Sequence, residues 1–128
     1  MELRVVVTAG GAGIGRAAAE LLAVAGAQVS VCDIDPLAVA DVGEIEGIAA
    51  SVADVADTAS IDRFMFESIA SLGGIDVLVN NAGIAGPGGV LEDLDPDEVT
   101  RTLDVDVTSM FRTSRHAIPV MKQQRSGV

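Results

Sequence analysis

The sequence predicts an α/β fold in one domain, residues 1–128: a doubly wound parallel sheet covered by helices on both faces. Three observations carry this. Short continuous apolar runs such as Val5-Val6-Val7 suit strands buried on both sides. They alternate with longer segments whose apolar residues recur at helical spacing. The connections between them are short, so successive units wind in one hand about a common sheet.

Leu3–Thr8 is the first strand. Gly10–Gly15 is a glycine-rich turn, and Arg16–Ala25, rich in Ala and Leu, is a helix that Gly26 stops. Gln28–Asp33 is the second strand. Asp35-Pro36 opens a weaker helical stretch, and Ile48–Val52 is the third strand. From Asp57 to Leu72 the residues Ile61, Phe64, Met65, Ile69 and Leu72 mark one helix face, ended by Gly73-Gly74. Ile75–Asn80 is the fourth strand. Asp95-Pro96-Asp97-Glu98 starts a helix: Asp95 caps it, Pro96 suits its first position and Glu98 completes a capping box. Val99, Leu103, Val107, Met110 and Phe111 continue its apolar face, and Pro119 predicts a kink or break. Ser126-Gly127-Val128 reads as a loop into a further strand.

Of the 128 residues, 49% are hydrophobic, enough for one sizeable core and too many for a disordered chain. The formal charge of −11 repels phosphate backbones and anionic membrane surfaces, which argues against a nucleic-acid or membrane partner. The longest uncharged stretch, Val77–Leu91, is too short for a span and is broken by Asn, Gly and Pro. A single cysteine, Cys32, forms no internal disulfide and fits a reducing, cytoplasmic setting. Tyr is absent from these residues, and Lys122 is the one lysine.

In a parallel sheet ligands bind beyond the carboxyl ends of the strands. Four signals sit there. Gly10-Gly11-Ala12-Gly13-Ile14-Gly15 permits a tight turn and close approach of the backbone to a pyrophosphate at a helix N-terminus; an ordinary strand–helix turn is the plainer reading. Asp33 ends the second strand, 20 residues after Gly13, and a carboxylate there accepts ribose hydroxyls and repels a 2′-phosphate. The residue immediately before Gly13 is Ala12 and not a basic one, which also favours NAD over NADP. Asp54-Val55 offers a side-chain acceptor and a backbone N–H to the amino edge of adenine, or else a helix cap. Asn80-Asn81-Ala82-Gly83 puts two amides at a strand end, where they tie neighbouring strands together and reach a ribose.

From Arg4 to Val128 the chain resembles the short-chain dehydrogenases/reductases. Thr8…Gly13-Ile14-Gly15 is similar to the family's glycine motif, Asp33 to its NAD-selecting acid, Asp54-Val55 to its adenine-binding pair and Asn80–Gly83 to its N-N-A-G motif. The resemblance implies a Rossmann-like α/β/α sandwich with strand order 3-2-1-4. It implies NAD held by Gly10, Gly11, Gly13, Ile14, Gly15, Asp33, Ile34, Asp54, Val55, Asn81, Ala82 and Gly83, and a homo-oligomer. The sheet then leaves Ile75–Asn80 as an open edge, so association is expected there or through the Thr102–Met121 helix face.

The chain departs from the family at three points. Ala9 replaces the motif's first glycine; Gly10 follows at once, so the turn is expected to survive. Asp106 stands where the family usually carries a catalytic Asn, and an ionised acid cannot donate in a proton relay. The family's Ser and Tyr-x-x-x-Lys would fall beyond Val128. The resemblance therefore implies the cofactor-binding part of an oxidoreductase that moves hydride between NAD(H) and a secondary alcohol or ketone. These 128 residues alone are expected to show no turnover. The alternatives are a non-catalytic NAD-binding module and a remnant without function. A methyltransferase also places an acid after its second strand but gives no reason for Asn80–Gly83.

Other residues have plainer readings. His116 is a surface or half-buried helix residue, Cys32 a small buried apolar one, and Met110 and Met121 belong to the core. Glu92, Asp93, Asp95, Asp97 and Glu98 serve capping and the helix dipole and no metal. The basic residues from Arg112 to Arg125 form a solvated face.

Overall fold

The computed structural model describes residues 2–128. Four parallel strands, β1 (Arg4–Thr8), β2 (Gln28–Asp33), β3 (Ile48–Val52) and β4 (Val77–Val79), lie in the order β3-β2-β1-β4. Val6 pairs with Ser30 on one side and Leu78 on the other, so β1 is central. Consecutive side chains of a strand face opposite ways. Val5 and Val7 accordingly join Val29, Val31, Ala19 and Val42 on one face, where α1 (Gly13–Val24) and α2 (Pro36–Val42) pack. Val6 and Cys32 join Ile61, Met65, Ile75 and Ala117 on the other, under α3 (Thr58–Leu72) and α5 (Ser109–Gln124). This is the doubly wound, three-layer Rossmann-like arrangement expected.

The helix starts follow their caps. Asp35, Asp57 and Asp95 each accept a backbone N–H two residues on, from Leu37, Ala59 and Asp97. The hydrogen bonds among the described residues include none from Glu98 back to Asp95, so the expected capping box is a simple cap. At the other end of α3, Gly73 adopts φ +71°, the left-handed turn that ends it.

Two expectations about the fourth strand are corrected. The fourth strand is Val77–Val79 and not Ile75–Asn80. Ile75 is fully buried, but its N–H and carbonyl pair with the Gln124 side chain at 3.1 and 2.8 Å. A side-chain amide there does what a neighbouring strand would do. The edge of β4 is also not bare: the Val128 N–H donates to Asp76 O (3.0 Å) and the Leu78 N–H to Val128 O (2.8 Å), the alternation of a parallel pair.

The long C-terminal helix differs most. It comprises α4 (Pro96–Leu103), a π-helical turn (Asp104–Thr108) and α5. Pro119 lies inside α5 without ending it; the irregularity sits earlier, at the π turn. Its buried face is Val105, Ser109, Thr113 and Ala117. The stripe expected to be buried points outward: Leu103, Val107, Met110 and Phe111 are all exposed, so Met110 is not core. Met121 does pack against the core.

Candidate functional site

The strand ends converge on a cavity of about 230 Å³. Ala9 follows β1, Asp33 ends β2 and Ile34 follows it, Asp54 and Val55 follow β3, and Ala82, Gly83 and Ile84 follow β4. Val105 and Arg101 complete it from the helix side. Six of the site residues expected from sequence line this one space: Asp33, Ile34, Asp54, Val55, Ala82 and Gly83.

Backbone groups fix both carboxylates. Asp33 Oδ2 accepts the Gly11 N–H at 3.0 Å and Oδ1 the Asp35 N–H at 3.1 Å. The cap of α2 is Asp35, so Asp33 is not needed for that task. Asp54 Oδ1 accepts the Ala56 N–H at 2.9 Å, and its own N–H donates to Ser60 Oγ at 3.0 Å. Asp57 caps α3, so Asp54 too is free of capping duty.

Gly10, Gly11, Gly13, Ile14, Gly15 and Asn81, also expected at the site, do not line the cavity. A Cβ on Gly10 would strike Val31 at 2.6 Å, and one on Gly15 would lie 2.4 Å from both Ala9 O and Asn81 Nδ2. Those glycines let α1 seat against the sheet. Gly13 differs: at φ +56° it has nothing within 4 Å of its Cβ position, so space remains where the backbone turns into α1. The left-handed residues of the first turn are Ala9 (φ +52°) and Gly13, while Gly10 has no positive φ. The turn survives as expected, but its strain falls on the alanine.

Asn81 braces two strand ends. Its Nδ2 donates to Thr8 O and Ala9 O, each at 3.1 Å, and Thr8 Oγ1 accepts the N–H groups of Asn81 and Ala82. Asn80 Oδ1 accepts from Thr113 Oγ1 at 2.6 Å, joining β4 to α5. Asp106 lies on the π turn and accepts the Ile84 N–H at 2.8 Å, which holds the loop after Gly83.

Sequence reasoning missed two arginines. Arg112, expected on a solvated face, is half-buried and donates to Thr58 Oγ1 (3.0 Å), Val55 O (3.2 Å) and the backbone and side chain of Asp104 (3.4 and 3.3 Å). It clips the Val55 wall to the π turn. Arg101 lines the cavity itself. Helix patterning flagged neither, because a pattern on one helix does not say which loop packs beside it.

His116, half-buried, pairs through Nε2 with Asp62 Oδ1 at 2.6 Å, between α5 and α3. Cys32 is fully buried, and that burial pushes its thiol up to about 12. Among the described residues, no helix is long and apolar enough to cross a membrane.

A parallel α/β sheet with a lined cavity at its strand ends, beside an uncapped helix start, is a Rossmann-like α/β arrangement. The family model for short chain dehydrogenases matches residues 4–128, and the chain belongs to that family of oxidoreductases. It is 36% identical to a (5R,7aS)-5-hydroxy-7a-methyl-1-oxo-2,3,5,6,7,7a-hexahydro-1H-indene-carboxyl-CoA reductase of Mycobacterium tuberculosis, over 96% of this chain and 49% of that protein. Among solved structures it superposes on a short-chain dehydrogenase from Streptomyces avermitilis with TM-score 0.91 and 30% identity, over 98% of this chain and 47% of the other. A 3-ketoacyl-(acyl-carrier-protein) reductase from Brucella melitensis complexed with NADH gives TM-score 0.88 at 32% identity, over 94% of this chain and 50% of that one. The chain thus spans about half the length of the relatives it matches.

Proposed function

We propose that these residues form the NAD-binding portion of a short-chain oxidoreductase that transfers hydride between NAD(H) and a secondary alcohol or ketone. The observation that carries this is Asp33. Its carboxylate stands in the cavity wall at the end of β2, held from behind by the Gly11 and Asp35 N–H groups. An anion so placed accepts ribose hydroxyls and disfavours a 2′-phosphate.

The other residues fit the same ligand. Ala12 gives α1 no side-chain cap and no acid lies in its first turn, so its N–H groups and positive dipole end suit the pyrophosphate beside Gly13. Ile34, Val55, Ala82 and Val105 supply apolar walls for adenine, and Asp54 a polar edge. When bound, NAD supplies the hydride chemistry. The chain's own residues bind and orient the adenosine half, and Asp106 fixes the loop after Gly83. These 128 residues contain no Tyr, so they alone are inactive in alcohol–ketone exchange. NAD-linked oxidation of any alcohol by the 128-residue chain would refute that inactivity.

Calorimetric titration tests the cofactor assignment. NAD should bind more tightly than NADP, and Asp33→Ala should weaken NAD roughly ten-fold or more while narrowing the gap to NADP. Unchanged affinity for both would remove Asp33 from the site.

A further inference from the structure

Arg101 projects from α4 one turn ahead of Val105, the 5%-exposed residue at the inner wall of the cavity. Both residues line the cavity, the buried Val105 from within and the exposed Arg101 at its mouth. With Ile84, Gly86, Pro87, Glu98 and Thr102, Arg101 also lines a second depression, and Ile84 likewise lines both.

The cavity's other charged groups are Asp33 and Asp54, yet Arg101 makes no ion pair or side-chain hydrogen bond among the described residues. Both carboxylates are instead held by backbone N–H groups. A cation left unpaired at the rim of a cavity with acidic and apolar walls is available to a ligand. A guanidinium is planar and stacks on π faces, and the walls beside it, Ile34, Val55 and Ala82, suit a flat heteroaromatic ring.

We propose that Arg101 is a specificity-determining residue that closes the cavity by stacking its guanidinium on the adenine of the bound nucleotide. This rests on the NAD reading above and adds a residue to it. Arg101 is exposed, so its replacement leaves the core intact.

The test titrates adenosine, AMP and NAD into the 128-residue chain and its Arg101→Ala and Arg101→Lys variants. Arg101→Ala should weaken all three ligands by a similar factor, roughly 3- to 30-fold. Arg101→Lys should regain little, because an ammonium keeps the charge and loses the plane. A loss that spares adenosine and falls on AMP and NAD, or full rescue by Lys, means that Arg101 meets a phosphate and overturns the proposal. So does unchanged affinity in Arg101→Ala, although NAD binding by the parent chain then leaves the cofactor reading standing. A parent chain that binds none of the three removes both.

Discussion

Ala9 occupies the left-handed region at φ +52°, a conformation that costs an L-residue about 1–2 kcal/mol. Asn81 holds it there by donating to its carbonyl. Ala9→Gly should therefore raise stability by about 0.5–1 kcal/mol, after the greater freedom of glycine in the unfolded chain is subtracted. Urea denaturation measures this, and a lower midpoint would show that the alanine is not strained. The sequence marks this turn but assigns its freedom to Gly10, because residue type does not report φ. Only the packing of Gly10 against Val31 shows that its glycine serves space instead. A second residue-scale effect lies at the far end of the sheet. Arg4 donates to Asp76 through Nε (2.9 Å), Nη2 (2.7 Å) and its own N–H (3.0 Å), and those bonds bring the Asp76 carboxyl down to about 2 from its usual 3.8. The folded state then binds fewer protons at Asp76 than the unfolded state does, so this stabilisation is present above about pH 4 and is lost as pH falls toward 2. Asp76→Asn should flatten the acid limb of a stability–pH curve; an unaltered limb would place the slope elsewhere.

At the scale of elements, the C-terminal helix shows where pattern reading fails. Its most apolar stripe suggests the buried face, yet the residues against the sheet are Val105, Ser109, Thr113 and Ala117. They are small, and the hydroxyls are satisfied locally: Ser109 Oγ donates to Val105 O at 2.6 Å and Thr113 Oγ1 bonds Asn80. Small side chains let α5 approach closely enough for Ala117 to touch the core formed with Met65 and Ile75. Ala117→Leu should cost about 1–3 kcal/mol by overpacking, while Ile118→Ala, one position along and exposed, should stay within about 0.5 kcal/mol. Equal effects in thermal melts would mean the stripe is misassigned. The π turn at Asp104–Thr108 had no signal in the sequence; its Asp106 meets the loop at Ile84, a contact that helix patterning does not contain.

Across the whole molecule, the two core layers leave one apolar face uncovered. Met110, Phe111 and Ile118 line a groove on α5 with Ser114 and Arg115, and Phe111 is 73% exposed. The association expected from sequence through the Thr102–Met121 helix face would fall on this groove, and the alternative, the β4 edge, is paired by Val128. Light scattering should give a mass of at least two chains, and Phe111→Glu should lower it. A monodisperse monomer of the parent chain would end this reading.

The sequence by itself determined the alternation of strand and helix, the aspartate caps and the gathering of Asp33, Ile34, Asp54, Val55, Ala82 and Gly83 at one end of the sheet, while the strand order came from the family resemblance. Those follow from short-range physics: strand burial, capping, and the rule that parallel strands present their carboxyl ends together. Tertiary structure alone decided which helix face is buried, which turn residue carries the strain, and that Arg101 and Arg112 serve the cavity and its wall. Each of those depends on what a neighbouring segment brings within a few ångströms, and one segment's pattern does not contain its neighbour.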